Sequence, residues 1–175
     1  TVNEARRLAD DIRAALDLPR RTEEPPPLAA LLRAVVAAAP ALGFVRRLKR
    51  RQALGNGTEE VVVAEESRLP DEAEAAVVFD QHAVPGKGTN ETVNRATCAS
   101  PVEPATLAAA GVGTTEVADP DWDGERITVT ERRTLAGRTL ASEAVEPTGP
   151  ALREAAADLV LAGRLFAGTG EAVSE

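Results

Sequence analysis

The sequence predicts an α+β protein, a small antiparallel β-barrel with helices before it and one helix after it. Three observations carry this expectation. Apolar residues recur at a spacing near 3.6 up to about residue 40 and at a spacing of 2 from Phe44 onward. Turn dipeptides then punctuate the alternating region, Asn56-Gly57 and Asp123-Gly124 being the strongest. A last helical stretch opens on Pro150, a residue type favoured in the first turn of a helix.

The elements follow in order. Val2, Ala5, Leu8, Ala9, Ile12 and Leu16 share one face of a helix over residues 2–18, with Arg6, Arg7, Asp10, Asp11 and Arg13 facing away. Pro19 stops this helix, and Glu23-Glu24-Pro25-Pro26-Pro27 makes a stiff linker. A second helix over 28–39 is apolar on most sides, is the more buried of the two, and ends at Pro40. Strands are expected near 44–54, 58–65, 74–82, 92–99, 113–118, 125–134 and 138–145. Asn56-Gly57 is expected to form a type I′ turn, in which both central residues need positive φ. A short helix over 102–110 has Pro101 or Pro104 near its start, and the terminal helix, 150–166, ends near Gly168. Six or seven short strands with one inserted helix describe a barrel of the OB kind. The expected organisation is a helical lead-in over 1–40, the barrel over 41–147, and a closing helix and tail over 148–175.

Composition narrows the function classes. With 175 residues, 43% of them apolar and 27% charged, the chain is globular and long enough for one good core with helical attachments. Cys98 is the only cysteine, which excludes an intramolecular disulfide or a thiolate metal cluster and fits a reducing cytoplasm. It reads as a small buried apolar residue. No apolar run approaches the roughly 18 residues needed to span a bilayer, so no membrane partner is expected. The chain begins at Thr1 and contains no methionine, as expected of a piece of a longer protein.

Catalytic motifs are weak throughout. Asp119-Pro120-Asp121-Trp122-Asp123-Gly124 opens like a calcium loop, but its twelfth position is Thr130 where a bidentate glutamate is needed, so it reads as an acidic hairpin turn. Pro85-Gly86-Lys87-Gly88-Thr89 lacks the first glycine of a phosphate-binding loop, since Gln81 stands there; it reads as a flexible loop. His82, the single histidine, has Asp80 nearby but no nucleophile or oxyanion site and reads as a strand-end or loop residue. By itself this segment is expected to hydrolyse nothing and to bind no cofactor.

One stretch stands apart. Arg46, Arg47, Lys49, Arg50 and Arg51 put five cations within six residues of a chain whose formal net charge is −8. Arginines on a barrel strand can neutralise phosphates, giving binding that is salt-dependent and indifferent to base sequence. The competing reading is a protein-interaction module whose cations dock on carboxylates of a neighbouring domain or a partner protein. Aromatic residues are scarce, and a base-stacking platform would need Phe44 or Trp122 to be exposed. A second segment, residues 122–140, repeats the character, with an Asp-Gly turn, Arg132-Arg133 and a further glycine turn.

These residues resemble the region behind the motor of HrpB-type bacterial DEAH-box ATP-dependent RNA helicases. The match runs collinearly from about Asn3 to Phe166 through Leu31-Leu32, Val45-Arg46-Arg47-Leu48-Lys49, Ala53-Leu54-Gly55-Asn56-Gly57, Trp122-Asp123-Gly124 and Arg132-Arg133-Thr134-Leu135-Ala136-Gly137. It departs at Gly43-Phe44, where the family has Asp-Arg, and at Gly55, where it has alanine. The resemblance implies a cytoplasmic C-terminal accessory region that guides single-stranded RNA or braces the motor domains of the same parent chain. ATP and Mg would belong to that motor, which lies outside this sequence. Phosphate contacts are then expected first at Arg46, Arg47, Lys49, Arg50 and Arg51, and second at Arg132 and Arg133.

Overall fold

The computed structural model describes residues 2–15, 17, 26–86 and 92–166. Two helices come first, α1 (Val2–Ala15) and α2 (Leu28–Ala38), and a short 3₁₀ turn at Pro40–Leu42 leads out of α2. Five strands follow: β1 (Gly43–Arg46), β2 (Ala53–Gly55), β3 (Glu60–Val63), β4 (Ala75–Pro85) and β5 (Thr92–Val102). Helix α3 (Pro104–Ala109) leads to β6 (Thr114–Trp122), β7 (Ile127–Leu135) and β8 (Arg138–Val145), and α4 (Gly149–Leu161) closes the described chain.

The first five strands close a barrel in the order β1-β2-β3-β5-β4, with β4 returning to pair with β1. All barrel pairings are antiparallel except β3 with β5, which run parallel through Val62 and Val63. The protein is therefore α+β, with a small OB-like barrel and helices at both ends. The last three strands do not join this barrel. They form a separate antiparallel sheet, β6-β7-β8, set off by α3 and by Gly111 and Gly113, both at positive φ.

The strand expected over 44–54 is two strands and a loop. Val45 pairs with Gly55 and Arg46 with Leu54 in antiparallel register. The chain must therefore reverse inside the basic run, and it does so with Ala53 N–H donating to the Arg50 carbonyl at 2.8 Å. The Asn56-Gly57 hairpin is present, but Asn56 does not adopt positive φ. Its Oδ1 instead accepts the backbone N–H groups of Thr58 and Glu59, at 3.0 and 2.9 Å. This side chain bracket builds a four-residue connection in place of a two-residue one. The turn with positive φ at both central residues is Ala136-Gly137, between β7 and β8.

Two apolar clusters hold these parts together. Inside the barrel, Phe44, Leu54, Val61, Leu69, Ala76, Val78 and Ala96 pack on one another. Outside it, Val45, Ala75 and Val77 meet Leu32 and Val36 of α2, Leu107 of α3, and Leu135 and Leu140 of the second sheet. Alternation along β1 and β4 thus serves both clusters, and residues 43–46 and 75–78 are buried without interruption. Helix α2 is the more buried of the first two helices, although only one face is covered: Leu28 and Leu31 remain 60% and 49% exposed.

Other expectations need correction. Cys98 is exposed, because it lies on β5 past Ala96, where the β3 pairing has ended and an irregularity in β4 shifts the register. Helix α4 starts at Gly149 with Pro150 in its first turn but ends well before Gly168. Gly163, at φ +67, turns the chain so that Arg164 and Leu165 N–H groups cap the Leu159 carbonyl. Of the two prolines expected near the start of the short inserted helix, Pro104 opens it, and the helix is shorter than expected, ending at Ala109. The expectations for Pro19, for Glu23 to Pro25 and for Lys87 to Thr89 lie outside the described residues.

Gly113 is the tightest point between the sheet and its lead-in. A Cβ there would fall 2.3 Å from the Thr134 carbonyl oxygen, on backbone already at φ +86. Gly113→Ala is expected to lower stability by about 2–3 kcal/mol, read as a fall in the urea midpoint; Gly57→Ala, which meets no atom, should cost less.

Candidate nucleic-acid interface

The basic run divides at its first member. Arg46 follows Phe44 by two residues and so points to the inside of the barrel, where it is 4% exposed. Its Nε donates to the Ala73 carbonyl at 2.6 Å and its Nη2 to that of Pro70 at 2.9 Å, while Nη1 donates to the Arg51 carbonyl. Burial pulls the guanidinium below its usual pKa, and the neighbouring Asp71 carboxylate opposes that shift. Arg46 therefore plugs the barrel end and ties the basic loop to the β3–β4 connection. Contrary to expectation, it is not among the residues that face solvent with free donors.

The other four cations lie on the exposed loop over 47–52 that joins β1 to β2. Arg47 lies across Gly55, where an added Cβ would come within 3.2 Å of its Cδ and 3.6 Å of the Ala136 Cβ. It reaches the second sheet, its Nη1 donating to the Ala136 carbonyl at 2.9 Å. Arg50 donates to Glu60 Oε1 at 2.9 Å, and Arg47 Nε lies 3.3 Å from the other oxygen of the same carboxylate. Arg51 leans on the Asp71 carbonyl at 3.4 Å. No polar partner for Lys49 is seen among the described residues.

Between this loop and the β7–β8 turn runs an open groove of about 420 Å³. Its charged lining is Arg47, Lys49, Arg50 and Arg138 against the single carboxylate of Glu60. Arg138 enters from the second sheet and also pairs with Glu74 at 3.0 Å. The groove is thus strongly cationic in a protein that is acidic overall. The pairs of Arg47 and Arg50 with Glu60 are solvent-exposed and individually weak, so an incoming phosphate can exchange with them.

Arg132 and Arg133 do not add to this groove. Being adjacent on β7, they project to opposite faces. Arg132 pairs with Asp119 at 3.2 Å, and Arg133 donates to the Gly111 carbonyl at 3.2 Å. Aromatic stacking is likewise absent from the groove lining: Phe44 is buried in the barrel core, and Trp122 is half-buried at the end of β6. The acidic turn is internally satisfied. Asp123 Oδ1 accepts N–H groups from Arg126 and Glu125 at 2.7 and 2.8 Å, which holds its carboxyl below the usual pKa.

Two groove residues were not singled out from the sequence. Glu60 carries no pattern that would mark it, since its role comes from standing opposite Gly55 on the neighbouring strand. Arg138 had a signal, because it directly follows the Ala136-Gly137 turn.

The division within the basic run is measurable. Arg46→Ala is expected to cost about 3 kcal/mol in urea unfolding, because it strands three carbonyls at the barrel end; Arg50→Ala should stay within about 0.5 kcal/mol. Equal effects would mean that the two arginines share one environment. In comparisons with known proteins, no protein-family model matches the chain, and no curated protein matches its sequence.

Proposed function

We propose that this chain is an accessory nucleic-acid-guiding module, and that its cationic groove takes the phosphate backbone of a single strand. The observation that carries the reading is positional. In OB barrels the β1–β2 and β4–β5 loops flank the surface used for oligonucleotides, and here the β1–β2 loop is the one that holds Arg47, Lys49, Arg50 and Arg51. The chemistry supports contacts to phosphate more than to bases, because the groove offers guanidinium and ammonium donors and no aromatic face.

The parent activity in this reading is that of an HrpB-type ATP-dependent RNA helicase, resting on the collinear resemblance described above. Its motor would bind ATP and Mg in the cytoplasm and translocate on RNA, while this module guides the strand or braces the motor. Among the described residues no helix is long and apolar enough to cross a membrane. A second reading, a protein-interaction module, is favoured by one separate feature. A groove of about 610 Å³ beside exposed Leu28 is lined by Leu32, Pro70, Ala73, Pro101 and Pro104 together with Glu72, Glu74 and Glu103, an apolar surface with an acidic border suited to docking a partner.

Salt separates the two. Binding of a fluorescein-labelled uridylate oligomer, followed by anisotropy, should weaken with a log–log salt slope of about −2 to −3, as four phosphate contacts on a single strand require. Replacing Lys49 and Arg50 together by Glu should weaken binding at least about tenfold at low salt and bring the slope near −1. No binding by the wild-type protein at low salt would overturn the nucleic-acid reading.

A further inference from the structure

We propose that Glu60 is a specificity-determining residue of the groove: it occupies the anion position between Arg47 and Arg50, so that successive phosphates displace it and a lone anion does not. The inference rests on the nucleic-acid reading above and deepens it.

The geometry is that of an internal ligand. Each carboxylate oxygen of Glu60 meets a different arginine, Oε2 with Arg47 Nε at 3.3 Å and Oε1 with Arg50 Nη1 at 2.9 Å. Two guanidinium groups converging on the oxygens of one anion is also how a protein holds a phosphate. Glu60 is well placed to fill that position. Its backbone is fixed in the β2–β3 ladder opposite Gly55, whereas both arginines belong to the exposed loop. Because Gly55 has no side chain, Arg47 lies flat across β2 and reaches Glu60 on the next strand.

A single phosphate that enters must replace contacts of similar strength to those it makes. It gains little. A strand with successive phosphates also engages Lys49, for which no polar partner is seen among the described residues, and Arg138 in exchange for its pair with Glu74. Those added contacts drive the exchange, and multivalency makes the displacement effectively intramolecular. The carboxylate is 37% exposed, so solvent screens its pairs, and their removal is worth a modest factor in affinity.

The test compares wild type, Glu60→Gln and Glu66→Gln, the last an exposed glutamate outside the groove lining that controls for the change in net charge. Each is titrated with inorganic phosphate, tripolyphosphate and the uridylate oligomer, with Arg47 and Arg50 Nε–H signals followed by NMR. The expected result is that wild type ignores millimolar inorganic phosphate while Glu60→Gln responds to it at both arginines. The oligomer should bind Glu60→Gln about three- to tenfold more tightly than wild type, and Glu66→Gln should resemble wild type. Intact oligomer binding by wild type with no gain in Glu60→Gln beyond Glu66→Gln would overturn the role of Glu60 alone. Absence of oligomer binding by every variant would overturn the nucleic-acid reading and this inference with it.

Discussion

Everything in this molecule depends on a strand pair buried on both of its faces. β1 and the first half of β4 pair through Gly43, Phe44 and Val45 against Val77, Ala76 and Ala75. Phe44, Ala76 and Val78 fill the barrel, while Val45, Ala75 and Val77 face outward into α2, α3 and the second sheet. Two cores therefore share one backbone wall. Neither can be repacked without moving the other, since interiors at this density transmit displacement instead of absorbing it. The basic loop departs from the end of this wall, so its anchor is set by both cores at once.

Arg46 shows how the wall ends. A strand that continued with apolar residues would leave the Ala73, Pro70 and Arg51 carbonyls facing a closed barrel end. One guanidinium satisfies all three, a task suited to its planar fork of donors. A buried charge is normally costly; here carbonyl dipoles and the nearby Asp71 offset part of that cost. The same sequence of cations thus contains a structural member and solvent-facing members, told apart by a single step in strand alternation. The overall charge of −8 adds a further constraint. Four cations of the groove lining stand against one carboxylate there, a local charge opposite in sign to that of the chain as a whole.

Much of the architecture was legible in the sequence, for reasons that also explain the failures. Period-2 alternation and glycine turns placed β8 at 138–145 and β7 within two residues, because a sheet with one solvated face carries a clear pattern. Local signals also gave α2 and the α3 region. Division of the strands into a barrel and a separate sheet was not legible, since it turns on pairings such as β1 with β4 that join residues about thirty or more positions apart. Nor was the burial of Arg46, which has the same local chemistry as Arg47. Asn56 misled for a more specific reason: Asn is favoured both at positive φ and as a side-chain acceptor, and the structure uses the second property. Cationic character in the candidate site could be read directly; the groove itself could not, as Arg138 and Glu60 enter from other strands.

The contact between Arg47 and the Ala136 carbonyl joins residues 89 positions apart. During synthesis at the ribosome, the cationic loop emerges long before the turn that faces it. Until β7 and β8 have left the exit tunnel and docked, the loop is an open basic segment beside a ribosome made largely of RNA. The groove between barrel and second sheet therefore takes shape only after β7 and β8 have been synthesised, well after the loop that lines its other side.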